Sequence, residues 1–157
     1  MNLYWHGDFA AVAALTDELL ATARVADDRL VVSLAAALGS LARSFNGEVQ
    51  AALALLVEAQ TAHASLRNER LAECTYLTHY ISEAAIQLER SDDALSHLDR
   101  GLEVARATGQ DATTGSWFGV AAHALLLKGQ VAKAQTTADE ALDVAALARD
   151  DWRESWL

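Results

Sequence analysis

Apolar residues recur along most of this chain at steps of three and four, and polar residues fill the positions between them. The first two series, in which Thr16 is the one hydroxyl, are Phe9, Val12, Thr16, Leu19 and Ala23, then Leu30, Leu34, Leu38, Leu41 and Phe45. Because an α-helix has about 3.6 residues per turn, this spacing places each series on one helical face. The pattern predicts two amphipathic helices separated by a polar break at Asp27-Asp28.

The same pattern continues through the chain and predicts an all-α protein. The predicted helices cover residues 8–26, 29–45, 48–66, 69–88, 91–107, 112–127 and 130–147, and a further helix opens at residues 149–151. Ser91 is expected to cap the helix at residues 91–107, with the acidic pair Asp92-Asp93 in its first turn. The chain contains no proline, and alanine and leucine dominate its composition. Since proline ends helices and alanine is the strongest helix former, the composition favours the same fold class.

The shortest breaks between the predicted helices share one glycine turn at a fixed period. The turn is Phe45-Asn46-Gly47-Glu48-Val49, and it is matched around Gly7 and around Gly129. The separation from Gly7 to Gly47 is one step of roughly 41 positions, and that from Gly47 to Gly129 is two such steps. The implied middle copy is residues 88–92, where Glu89-Arg90 replaces the glycine and predicts a tighter turn or one displaced by a residue.

The longer breaks contain candidate N-cap residues that recur with the same period. After each break the next helix starts with a residue suited to accept hydrogen bonds from free N–H groups: Asp28, Asn68, Asp111 and Asp150. The intervals between them are also close to this period, which is the signature of a helical repeat array. We expect a single domain, a right-handed solenoid of about three and a half hairpins, divided into residues 1–27, 28–67, 68–110, 111–149 and the start of another at 150–157.

Both ends of the chain are apolar, whereas repeat arrays usually finish with polar capping helices. The sequence begins with Leu3-Tyr4-Trp5 and ends with Trp152 and the pair Trp156-Leu157. We therefore expect a piece of a longer protein, and self-association of this piece through Trp5 or through Trp152 and Trp156.

One sequence pattern runs from Asn46 to Asn68 and again from Lys128 to Asp150. It consists of Gly, a polar residue, an apolar residue, any two residues and Ala, and it continues as a long helix that ends at Arg-Asn or Arg-Asp. This pattern resembles the tetratricopeptide-like repeat. The unit of about 41 residues is longer than the standard tetratricopeptide unit of about 34 residues. This longer form is similar to the sensor arrays of large ATP-dependent LuxR-type transcriptional activators of bacteria.

The resemblance implies a concave groove lined by the first helix of each hairpin. It also implies an ATPase domain before the array and a helix-turn-helix domain after it. No phosphate-binding loop or basic recognition helix of such activators is found in this chain. We therefore expect the resemblance to cover the array alone.

The charge balance excludes several classes of partner. The formal net charge is -10, from 12 Lys and Arg against 22 Asp and Glu. So acidic a chain repels phosphate backbones and anionic lipid, and we expect no direct contact with nucleic acid or membrane. The single Cys74 excludes an internal disulfide, and no apolar run is long enough to span a bilayer. The expected location is the cytoplasm.

The best-defined candidate site lies on the predicted helix at residues 69–88. Tyr76, His79, Tyr80 and Glu83 follow one another at helical spacing, on the side opposite the apolar stripe of Leu71, Cys74, Ile81, Ala85 and Leu88. Two phenols, an imidazole and a carboxylate on one exposed stripe suit a peptide or a small ligand. The alternative is that the tyrosines pack on the neighbouring hairpin and that His79 and Glu83 form a solvated pair.

The corresponding faces of the neighbouring hairpins supply further candidates. In one, the small hydroxyls of Ser33, Ser40 and Ser44 are expected to leave room in the groove, and Arg43 is suited to pair with a carboxylate. In the other, we expect a similarly open wall with Phe118 as an anchor, formed by Gly115, Phe118, Gly119 and Ala122. Trp117 is in phase with apolar neighbours and is expected in the core. His63 and His97 fall on second helices, where structural or solvent-facing roles are more typical than ligation.

Catalysis finds little support in the sequence. There is no Gly-x-Ser-x-Gly or His-Glu-x-x-His motif, and Cys74 and His79 point about 140 degrees apart on a helix. His79 and Glu83 alone are too few ligands for a metal. We therefore expect no enzyme activity, metal or cofactor. The hypothesis is a protein-interaction or ligand-sensing domain of a LuxR-type regulator, with a stand-alone tetratricopeptide-type adapter as the alternative.

Overall fold

The computed structural model describes residues 7–110 and 114–147, and within these ranges the chain is helical and contains no strand. The helices are α1 (Phe9–Ala26), α2 (Arg29–Phe45), α3 (Val49–Ser65), α4 (Asn68–Ala72), α5 (Tyr76–Gln87), α6 (Ser91–Thr108), α7 (Thr114–Leu127) and α8 (Val131–Leu147). The predicted all-α class is confirmed. The expectations for Trp5, Trp152 and Trp156, and for caps at Asp111 and Asp150, fall outside the described residues.

The prediction of one continuous helix over residues 69–88 is wrong, because the chain breaks between α4 and α5 at residues 73–75. The amides of Glu73 and Cys74 bond to carbonyls three residues back instead of four, which tightens the last turn of α4. The Ala72 carbonyl accepts a hydrogen bond from Gln110 Nε2 at 3.1 Å. This side chain, which follows α6, satisfies an acceptor that the broken helix leaves open.

The helix starts follow the predicted capping chemistry in part. Asp28 accepts hydrogen bonds from the amides of Leu30 and Val31, as expected for the cap of α2. The expected caps Asn68 and Ser91 are wrong, since each is the first residue of its helix and the preceding arginine is the N-cap. The acidic pair Asp92-Asp93 lies in the first turn of α6, as predicted, where negative charge favours the helix dipole.

The turns after α2, α5 and α7 have the same backbone construction. Gly47 and Gly129 have left-handed backbone angles, with φ of 78° and 71°. In the middle turn the left-handed residue is Glu89, with φ of 60°. In all three turns the next amide bonds to the carbonyl five residues back, as in a Schellman motif: Glu48 to Arg43, Arg90 to Ala85 and Gln130 to Leu125.

The helices pack around a central row. α2, α5 and α7 contact one another in that order, while α1, α3, α6 and α8 pack against one or two members of the row. The main core runs along this row and includes Leu41, Leu56, Ile81 and Leu98. Trp117 is buried in it, as predicted. Within the ranges described, no helix is both long and apolar enough to cross a membrane.

Candidate functional site

The structure divides the predicted stripe on α5 between surface and core. Tyr76, the first residue of α5, is 57% exposed, whereas Tyr80 is only 4% exposed. The expectation that both phenols lie on one exposed stripe is therefore wrong for Tyr80. The reason is that α5 is in contact with α2, α3, α6 and α7, so a wider arc of the helix is buried than on a helix with one neighbour.

His79 and Glu83 are half-buried and lie one turn apart on α5. Together with Tyr76 they form what we call the α5 patch. The His79 ring meets the Tyr80 ring edge to face, with centroids 5.3 Å apart. Its Nδ1 atom is buried and has no hydrogen-bond partner within the described part of the chain. A buried nitrogen without a partner is destabilising until some group satisfies it.

Burial lowers the pKa of His79, and the nearby Glu83 carboxylate opposes that shift without reversing it. The imidazole is accordingly neutral at pH 7, since its ordinary pKa is 6.5 and the shift is downward. A neutral imidazole has one N–H donor and one acceptor nitrogen. The α5 patch thus contains a neutral histidine beside an exposed phenol and a carboxylate.

The helices on either side of α5 carry partly exposed apolar side chains. On α2 these are Val31, Leu34 and Leu38, which pack on the edge of the core. On α7, Phe118 and Ala122 are half-buried and Gly119 is exposed, with no atom within 4 Å of the position a Cβ would take. Gly115, predicted on the same open wall, instead faces α8, with Val144 Cγ1 at 3.5 Å from that position.

Arg43 is engaged elsewhere. Its Nη2 donates to Asp17 Oδ2 on α1 at 2.6 Å, and its Nε lies 3.7 Å from a carboxylate oxygen of Glu48. The side chain is 13% exposed, and one of its nitrogens, Nη1, is buried without a partner among the residues described. Arg43 therefore links α2 to α1, and the structure does not bring it to the α5 patch.

The hydroxyls predicted to leave room in a groove are core groups. Ser33 and Ser40 are fully buried and donate to the carbonyls of Ala59 and Ala52 on α3, each at 2.8 Å. Ser44 donates to Leu41 O within its own helix. The expectation that Ser33 and Ser40 line an open wall is wrong, because small side chains on α2 allow close packing of α3 rather than access for a ligand.

A polar cluster that the sequence analysis did not predict lies between α3 and α6. We call it the α3–α6 seam: Gln60 and His63 on α3, and Asp93, His97 and Arg100 on α6. Gln60 Nε2 donates to Asp93 Oδ2 at 3.0 Å and lies 3.3 Å from His97 Nε2. The pair Gln60 and His97 and the pair His63 and Arg100 have the same separation along the chain. Recurrence of one polar spacing close to the predicted repeat period is the sequence signal that could have indicated these pairs.

The two histidines of the seam are held in their neutral forms. His63 is 2% exposed, and burial, aided by His97 and Arg100, lowers its pKa to about 3. Burial also lowers the pKa of His97, although Asp93 opposes the shift. For Asp93 burial raises the pKa, but hydrogen bonds from Gln60 and Arg90 outweigh it and the pKa is lowered.

A separate open cleft of about 250 Å³ lies where α1, α2 and α3 meet. Its four charged side chains pair with one another. Arg24 makes two hydrogen bonds to the Glu58 carboxylate, at 2.8 and 2.6 Å, and Arg29 lies 2.7 Å from Asp27. Because these charges are already paired, the cleft is a poorer ligand site than the α5 patch.

Within the described ranges, no three His, Cys, Asp or Glu side chains are grouped so that they could hold a metal ion. Cys74 is a half-buried free thiol packed at the edge of the core.

No protein-family model, curated protein or solved structure matches this chain.

Proposed function

We propose that this chain is a non-catalytic interaction or ligand-sensing domain that binds a peptide or small ligand on the face formed by α2, α5 and α7. The observation that carries the proposal is the α5 patch. There an exposed Tyr76 lies three residues from His79, whose buried Nδ1 has no partner among the described residues. A ligand that bound against Tyr76 and displaced the groups covering this nitrogen would satisfy it with a specific hydrogen bond.

The architecture we propose is a right-handed solenoid of tetratricopeptide-like hairpins, each of about 41 residues. In support, the left-handed residues Gly7, Gly47, Glu89 and Gly129 recur at nearly equal intervals that match this period. The row of α2, α5 and α7 corresponds to the first helices of successive hairpins. In a solenoid of this kind that row forms the concave surface, which is the usual binding surface of such arrays.

The composition of this face favours a ligand with apolar groups and a hydrogen-bonding group. Leu34 and Leu38 on α2 and Phe118 on α7 supply partly exposed apolar surface on the two helices of the row that contact α5. Tyr76 adds a large amphipathic side chain, a residue type enriched at interfaces. Arg43, which we expected to assist, is taken up by its ion pair with Asp17, so we leave it out of the proposed site.

The setting we propose is a cytoplasmic bacterial regulator of the LuxR type, in which ligand binding shifts the packing of the array on neighbouring domains. This rests on the resemblance in the repeated unit. The coding region on either side tests it: a phosphate-loop ATPase upstream and a helix-turn-helix downstream would support the regulator. A reading frame that ends close to these residues would favour the alternative, a stand-alone adapter that binds protein partners.

Selection of peptides from a random displayed library tests the binding face itself. We expect peptides that bind the unaltered chain to lose at least about tenfold in affinity for the double variant Tyr76→Ala, His79→Ala, since hot-spot truncations cost about 2 kcal/mol or more. The matched control is Val57→Ala on α3, which removes a side chain that is 53% exposed and lies outside the row. Peptides that bind the double variant and the unaltered chain equally would refute the proposed face.

A further inference from the structure

The end of α3 is held to α6 by a single arginine. Arg100 Nη1 donates to the His63 carbonyl at 2.8 Å, and Nη2 donates to the Leu66 carbonyl at 2.5 Å. Nη2 also lies 3.4 Å from Asn68 Oδ1, at the start of α4. The last carbonyls of a helix lack partners within the helix, and a cation there also favours the helix dipole. Arg100 therefore joins α3, α4 and α6 at one point.

The His63 ring lies between this guanidinium and a second imidazole. Its Nδ1 is 3.4 Å from Arg100 Nη1, and its ring meets the His97 ring edge to face with centroids 5.0 Å apart. Arginine nitrogens can only donate, so the Nδ1 facing Arg100 acts as the acceptor. The proton of neutral His63 then resides on Nε2, a buried atom with no partner among the described residues.

The charges around the two imidazoles make a second proton unfavourable. The groups that act electrostatically on His63 are His97 and Arg100, both on α6, and in the described chain none comes from α2 or α5. His97 faces the Asp93 carboxylate as well as Arg100. That carboxylate is the one anion of the seam, and it already accepts hydrogen bonds from Gln60 and from Arg90 Nε at 2.5 Å.

We propose that the α3–α6 seam is a proton-sensitive latch, closed while His63 and His97 are neutral and released when they take up protons. Protonation of His63 removes the acceptor that faces Arg100 and places two positive charges in contact in a buried site. Release frees the ends of α3 and α4 from α6 and loosens the packing between the second and third hairpins. This device is independent of what the α5 patch binds.

The size of the effect follows from proton linkage. In the released state each imidazole is exposed and titrates at its ordinary pKa of 6.5, whereas His63, with a pKa of about 3, is neutral in the closed state. Lowering the pH from about 7.5 to about 5.5 then raises the opening equilibrium constant about tenfold through His63 alone. His97, whose pKa is also lowered in the closed state, acts in the same direction.

Hydrogen exchange followed by mass spectrometry measures this opening at each segment, after correction for the intrinsic pH dependence of exchange. We expect protection in residues 60–72 and 94–108 to fall at least about tenfold between pH 7.5 and 5.5, with a smaller change in α1 and α8. His97→Gln should reduce the fall and leave the part due to His63, and His63→Gln, His97→Gln together should remove it. His123→Gln, at an exposed histidine on α7, is the matched control and should keep the full response.

Two results would overturn the latch. One is a loss of protection that is equal in all segments, which would indicate global acid destabilisation. The other is an undiminished response in the His97→Gln chain. This substitution at a half-buried position leaves the buried His63 in place, so it is the decisive variant if the double variant does not fold.

Discussion

The close approach of α5 and α6 depends on the absence of a side chain at Gly101. This glycine is buried in the middle of α6, and a Cβ built on it would lie 2.3 Å from Thr78 Cγ2, 2.8 Å from its Oγ1 and 3.0 Å from its Cβ. Ordinary van der Waals contact begins near 3.4 Å. Thr78 is itself 1% exposed, so it has no free space into which to move. Gly101→Ala therefore forces α5 and α6 apart by roughly 1 Å.

Two effects of opposite sign decide the outcome. Alanine in a helix interior stabilises by up to about 1 kcal/mol over glycine. Overpacking a well-filled core typically costs about 1–3 kcal/mol, and a clash with a buried β-branched side chain falls at the upper end. We expect a net loss of about 2 kcal/mol in the free energy of unfolding, which corresponds to a Tm lower by about 4–8 °C for a chain of this size.

Urea unfolding followed by circular dichroism measures this change, and the chain supplies a matched control. Gly119 lies within helix α7, is exposed and has nothing within 4 Å of its Cβ position, so Gly119→Ala should stabilise by about 0.5–1 kcal/mol. Thr78→Ser removes the methyl group responsible for the shortest contact, and in a double variant it should recover part of the loss. Equal stabilisation by Gly101→Ala and Gly119→Ala would refute the proposed packing of α5 on α6.

Three further predictions concern single residues. Glu89→Gly should stabilise by about 1 kcal/mol in urea unfolding, whereas Glu89→Ala should not, because the left-handed backbone at φ 60° disfavours any Cβ. Ser40→Ala should destabilise by about 0.5–1.5 kcal/mol in the same assay, since it removes the buried hydrogen bond that Ser40 donates to the Ala52 carbonyl. For His63 the folded pKa of about 3 lies below the ordinary 6.5, so the unfolded chain binds more protons and stability falls as the pH is lowered through that range. At pH 5 the loss is about 2 kcal/mol, and comparison of His63→Gln with the unaltered chain at pH 7 and pH 5 should show it; equal losses in the two chains would contradict the assignment.

Most of the helices were predictable from the sequence because their apolar residues follow a single period. The cap at Asp28 and the acidic first turn of α6 were predictable for a different reason, because the chemistry of neighbouring residues determines both. The break at residues 73–75 was not, because the Ala72 carbonyl that it leaves open is satisfied by Gln110, which is distant in the sequence. A partner this distant in the sequence cannot be predicted from the local pattern of apolar and polar residues.

The candidate site was predictable only in part. Helical spacing placed Tyr76, His79, Tyr80 and Glu83 on one stripe. The width of the buried arc, however, depends on how many helices surround α5. Because several helices contact α5, Tyr80 is buried. Arg43 instead forms an ion pair with Asp17 on the neighbouring helix α1. The α3–α6 seam was not predictable, because each of its histidines, taken alone, has the sequence context of a structural residue.

The central claim, that a partner or ligand is bound at the face containing the α5 patch, is tested most directly by site-specific photo-crosslinking in the native host. A photoreactive benzoylphenylalanine replaces either Tyr76, which is 57% exposed, or Val57 on α3, which is 53% exposed. We expect a covalent adduct of defined mass from position 76 that is absent from position 57 and is lost when His79→Ala is combined with the probe. No adduct at position 76, or the same adducts from both positions, would contradict it.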